Sequence, residues 1–141
     1  MMTIPMWVLL GFAGWTLIVL STTVGVYRWS RILTGRAAIH DFRAGVPHEK
    51  DWYRRAMRAH ANCVENLPVY GAIVLALVVS NLNSHTLDVL ALALLASRVV
   101  QTVTHISFEE TSTAVSIRFT FFTIQLICMF WMGIYVVVSV L

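Results

Sequence analysis

The sequence predicts an all-α integral membrane protein, a bundle of four transmembrane helices forming one domain over residues 1–141. Three observations carry that expectation. Hydrophobic residues make up 58% of the chain and charged ones 12%, against about 25% charged in ordinary globular domains, and the mean hydropathy is +0.75. A stretch near each end is long enough, and free enough of charge, to cross a bilayer unaided. The basic residues gather where helices would leave a membrane, on one side of it.

A bilayer core of about 30 Å calls for roughly 20 apolar residues in helical form. The first span is expected over residues 6–27, with no charge before Arg28, and the last over residues 117–141, where only Cys128 and Tyr135 can ionise beyond Phe119. The first stretch lacks a basic leader and a small-residue cleavage site, so it reads as a span and not as a signal peptide. The middle pair is expected over residues 52–82 and 86–107. Each reaches full length only by carrying polar residues into the membrane: Arg58, His60, Asn62 and Glu65 in the second span, and residues from Arg98 onward in the third. Pro68 removes one backbone hydrogen bond and is expected to kink the second span just beyond its polar half.

Orientation follows from the connections. Residues 28–58 hold eight of the ten Lys and Arg residues, whereas the N-terminus and the turn at residues 81–85 hold none. The positive-inside rule then places the 28–52 and 107–117 connections in the cytoplasm and both termini outside. Both polar halves open towards the cytoplasmic side. Residues 107–112 read as a solvated loop whose acids cap or complement the start of the last helix.

The same placement of charge excludes other classes. A net charge of +3 set at helix exits is a topology signal, so no nucleic-acid partner is expected. Cys63 and Cys128 sit in separate apolar segments without CxxC spacing and read as small core residues, which excludes thiol–disulfide chemistry. The first span has no acidic residue of the kind a small multidrug exporter needs. His60 and His105 have no carboxylate-rich or His-rich surroundings, so neither haem nor a metal is expected.

Charged groups at membrane depth face a bundle interior or a wet cavity and mark function. Arg58, Asn62 and Glu65 fall at i, i+4 and i+7, and Arg98, Gln101 and His105 at i, i+3 and i+7, each set forming one stripe of a helix. Glu65 and Arg98 lie two to three turns in from the cytoplasmic ends, at about 1.5 Å per residue, and are expected to pair. The surplus of positive charge suggests an anionic ligand, because arginine forks match carboxylates.

The segment Arg58-Ala59-His60-Ala61-Asn62-Cys63-Val64-Glu65-Asn66 resembles the second-helix signature R-A-H-x-N-x-x-E-N of the MAPEG superfamily, membrane-associated proteins in eicosanoid and glutathione metabolism. Within it the likeness is closest to the microsomal glutathione transferases. It extends to length and four-span layout, and it is sharp over residues 52–70. What the resemblance implies is a homotrimer holding glutathione, as co-substrate, between neighbouring protomers near the cytoplasmic face. Arg58, Asn62 and Glu65 would bind glutathione, Glu65 taking its α-amino group; His60 would lie beside it. Arg98 would support the pocket, and His105 lies on the same helix-three stripe. Arg118 would be the catalytic arginine that stabilises the thiolate, and Arg31 is the first-loop residue expected to contribute. The chain departs from the family pattern on helix three, with Gln101 and His105 where tyrosines are common. The function implied is glutathione transfer, or peroxide reduction, on lipophilic small molecules or lipids; the alternative is a non-catalytic lipid- or partner-binding member.

Overall fold

The computed structural model describes residues 2–42 and 50–141 and, among them, is all-helical. Four helices are long and apolar enough to span a membrane: α1 (Ile4–Leu33), α2 (Asp51–Val79), α3 (His85–Ser107) and α4 (Ser112–Val140). A short 3-10 turn, Ile39–Asp41, follows α1. Arg43, one of the basic residues counted in the first connection, lies outside the described residues.

The differences from the expected boundaries have local causes. α1 continues past Tyr27 to a Schellman ending, where Gly35 adopts φ +68 while its N–H reaches the Ile32 carbonyl at 3.0 Å and that of Arg36 reaches Arg31 at 2.9 Å. Arg28 and Arg31 are therefore helical and not loop residues. α2 stops at Val79, short of residue 82, because Asn81 takes the left-handed conformation at φ 52 and closes the same pattern. α4 begins five residues before 117, where Thr111 caps it by accepting from the Ala114 N–H at 3.2 Å. Arg118 therefore lies in the second turn of α4 and not at its start. Helix α2 runs unbroken through Pro68, whose ring is on an exposed face.

Within α1, residues Leu20–Gly25 form a π-helical segment. A Cβ at Gly25 would lie 3.2 Å from the Leu20 carbonyl oxygen, a tight approach, so this widened turn favours glycine.

The core is drawn from all four helices: Val8 and Phe12, then Cys63, Tyr70 and Leu77, then Leu87 and Leu94, and Cys128 with Met132. α3 and α4 make the most extensive pairing, and α1 packs against both α2 and α3. Trp7, Leu17, Phe119, Phe130 and Ile134 face outward and exposed. Polar side chains turn inward instead, among them Thr16, Arg98, Gln101, Thr102, Arg118 and Gln125. Apolar outside and polar within is what a hydrocarbon solvent selects, and the chain is an integral multi-pass membrane protein. The buried threonines satisfy themselves locally: Thr16 and Thr102 donate to the carbonyls of Phe12 and Arg98, four residues back, at 2.9 and 2.8 Å.

Candidate active site

The polar residues gather at the end of the bundle where α3 meets α4. Arg98 is the largest of them, 1% exposed, and its guanidinium carbon sits 5.4 Å from the centre of the Phe12 ring. Its Nη1 donates to Gln101 Oε1 at 3.0 Å, and Gln125 Nε2 donates to the same oxygen at 3.0 Å. Among the described residues, Arg98 Nε and Nη2 have no hydrogen-bond partner.

The expected Glu65–Arg98 ion pair is not formed: among the described residues no ion pair joins them. Arg98 is buried, whereas Glu65 is exposed on the outer face of α2 and its neighbour Asn66 is buried. Successive residues on a helix point about 100° apart, so packing Asn66 inward turns Glu65 outward. Two groups at similar depth need not share a face.

Towards the loop end, Arg118 is buried at 7% exposed and loosely held. Its Nη1 lies 3.4 Å from His105 Nδ1 and its Nη2 donates to the Glu109 carbonyl at 3.5 Å, both long contacts, while Nε is buried without a partner among the described residues. A guanidinium only donates, so His105 Nδ1 accepts and the ring's proton sits on Nε2. A cleft of about 280 Å³ opens here, lined by Asn62, Gln101, His105, Val115, Arg118, Phe119 and Phe122. Its polar lining is rich in donors and contains no carboxylate, and its apolar wall is supplied by α4. That combination suits an anionic head carried on, or attacking, an apolar group.

Of the residues singled out in the sequence, Asn62, His105 and Arg118 line this cleft, and Arg98 stands behind it through Gln101. The others lie elsewhere in the single chain. Arg58 is exposed and donates to Glu110 Oε1 at 2.9 Å, at the rim of a second cleft of about 390 Å³ that also includes Arg54, Arg55 and Glu109. An exposed pair of that kind contributes at most about 1 kcal/mol, so a competing carboxylate can replace Glu110. Glu110 of the 108–111 segment thus meets Arg58, while Thr111 supplies the cap of α4. His60 is outside the cleft lining, its Nδ1 buried without a partner among the described residues. Arg31 is engaged by Tyr27, donating to its hydroxyl at 2.9 Å and lying 5.6 Å over its ring. Tyr27 in turn stacks on Tyr53 at 4.3 Å, joining α1 to α2.

Gln125 was not legible as a functional residue, although the signal was present. An amide in an otherwise apolar span is costly unless it is partnered, and Gln125 falls at i+7 from Arg118, on the same face.

Compared with known proteins, the profile of the MAPEG family matches residues 5–138, nearly the whole chain. No curated protein and no solved structure matches.

Proposed function

The chain belongs to the MAPEG family, whose members include glutathione transferases, and on that premise we propose that it is a membrane glutathione transferase acting on lipophilic electrophiles. One observation carries the reading: a buried, incompletely partnered arginine, Arg118, at a donor-rich cleft with an apolar wall. A free thiol with a pKa of about 8.5 is mostly protonated at neutral pH. A guanidinium beside the sulfur favours the anion and lowers that value. The thiolate then attacks an apolar electrophile that has partitioned into the bilayer, forming the S–C bond as the electrophile's leaving group departs. The protein supplies proximity and charge stabilisation, without a metal or a covalent enzyme intermediate.

In this reading the functional unit is a homotrimer, with glutathione between neighbouring copies. Glu65 supports it. This carboxylate is the midpoint residue of α2 and is exposed on the single chain, a position that is expensive against lipid and sound against a neighbouring protomer or a ligand's ammonium group. Arg58, with its replaceable partner, would take a glutathione carboxylate, and Asn62 joins the α2 stripe to the cleft. His60 and Arg31 would approach the ligand only across that interface.

The non-catalytic reading is favoured by Gln101 and His105, which stand where tyrosines are common in the family's enzymes. Calorimetric titration of the purified assembly, its three-chain mass checked by native mass spectrometry, separates the two. Glutathione at a hundred times its dissociation constant should stabilise the fold by about 2.7 kcal/mol per dominant site, and turnover with an aryl halide should follow. Binding without turnover would establish the second reading, and no binding would remove the first.

The basic ends of the helices support an orientation with the site on the cytoplasmic side and both termini on the other. A cysteine introduced at the exposed Arg36 should react with an impermeant thiol reagent only from the cytoplasm, and one at Asn83 only from the opposite face. Labelling of both from one face would overturn this orientation.

A further inference from the structure

We infer that Gln101 is a ligand-binding residue that presents its carboxamide N–H₂ to the cleft, and that Arg98 and Gln125 are positioning residues that hold it in that orientation. The assignment rests on the proposed function only for the identity of the ligand; the donor itself is read from the partners of Gln101.

An amide side chain has one accepting and one donating end, and its neighbours decide which way it faces. Gln101 Oε1 accepts from Arg98 Nη1 and from Gln125 Nε2, both at 3.0 Å. Arg98 has no acceptor to offer in return. The orientation of Gln125 is fixed independently, because its Nε2 also donates to the Phe121 carbonyl at 2.9 Å, and a carbonyl can only accept. Turning the Gln101 amide over would place its N–H₂ against a guanidinium and a second N–H₂, losing two buried hydrogen bonds and opposing like dipoles. All three side chains are at most 3% exposed, so water does not relieve that conflict.

With Oε1 committed inward, Nε2 is the polar atom of Gln101 left for the cleft it lines. Among the described residues it has no hydrogen-bond partner. The cation behind it adds to the effect, since Arg98 draws electron density towards Oε1 and makes the N–H₂ a stronger donor. Arg118 and His105 line the same cleft, which holds no carboxylate, so the group recognised is an anion. In the glutathione reading that anion is a carboxylate of the ligand, a contact that sets affinity. A carboxamide donor then does part of what a phenol would do at this end of the helix, without an ionisable proton.

The test follows the Gln101 amide protons directly. In ¹⁵N-labelled protein in micelles, the Nε2 proton pair is assigned by its loss in Gln101→Glu, then followed during separate titrations with glutathione and with iodide, a bare soft anion. Both should shift it. Gln101→Glu accepts the same two hydrogen bonds and neutralises Arg98, so its melting temperature should not fall, yet glutathione affinity should drop about tenfold or more. Gln101→Met, which adds no charge to the cleft, should weaken binding in the same direction. Gln125→Met removes one anchor and should broaden the Gln101 pair while lowering affinity roughly threefold. If iodide shifts the pair and glutathione does not, the glutathione reading fails and the donor assignment stands. If glutathione binds while the pair stays still, or if Gln101→Glu and Gln101→Met bind it as the wild type does, the donor assignment is overturned. It is overturned equally if neither anion moves the pair.

Discussion

Replacing Arg118 with alanine is expected to cut turnover with an aryl halide by about a hundredfold or more while leaving glutathione binding nearly intact. The split follows from what the residue does at each stage. Carboxylate contacts of glutathione are the same before and during reaction, so they set affinity; a charge placed beside the sulfur is needed most when the thiolate is the reacting species. Arg118 is suited to the second role. It is buried, its Nε is unpartnered among the described residues, and its two remaining contacts are long, at 3.4 and 3.5 Å. Little within the chain competes for it.

The thiolate's ultraviolet absorbance gives an independent readout of the same effect. With Arg118 present, the bound thiol should ionise below its free value of about 8.5; in Arg118→Ala its pKa should rise back towards that value, so thiolate at neutral pH falls and recovers only as pH is raised. Arg118→Lys keeps the charge but loses the planar fork and should lie between the two. Substituting Arg118 also frees His105 Nδ1 and the Glu109 carbonyl, so the melting temperature of each variant is the control for folding. An unchanged thiol pKa and unchanged turnover in Arg118→Ala would remove this residue from the chemistry.

The four-helix membrane fold was legible because it depends on quantities that a sequence states directly. The lengths of uncharged runs, the placement of Lys and Arg, and the total apolar content fix how many helices are needed. Boundaries were less legible where a single polar residue decided them. Thr111 starts α4 before its apolar run does, and Asn81 ends α2 at the first residue of the 81–85 turn, ahead of the limit expected at residue 82. The second case is a cap that composition alone does not separate from a polar turn.

Within the site, the sequence identified stripes but not their rotation. It put Asn62 on one stripe, His105 on another and Arg118 on a third helix, and these three do line one cleft. It matched Glu65 to Arg98 by depth, which is a one-dimensional coordinate, whereas contact needs the facing angle of both helices as well. Arg98 turned inward onto Phe12 and Gln101; Glu65 turned out. Gln125 was overlooked for a related reason: it is neutral and isolated, and its meaning comes from Gln101 opposite, on a helix 24 residues away in sequence.

The outward-facing carboxylate leads to the second large effect. Glu65→Gln should weaken glutathione binding by roughly thirtyfold or more, corresponding to about 2 kcal/mol, the lower end of what is lost when one member of a desolvated charge pair is removed. The substitution keeps shape and length, so packing against a neighbouring protomer is preserved and the lost interaction is electrostatic. The ligand group responsible is its ammonium, because a neutral amide still hydrogen-bonds but no longer supplies the opposite charge. Desamino-glutathione provides the complementary deletion: it should bind the wild type about as weakly as glutathione binds Glu65→Gln. The combination should then cost little beyond either change alone, since both remove the same interaction. Titration calorimetry on the four combinations measures that coupling directly. If the two losses simply add, Glu65 and the ammonium group do not meet, and the exposed carboxylate at the middle of α2 belongs to the protomer interface and not to the ligand.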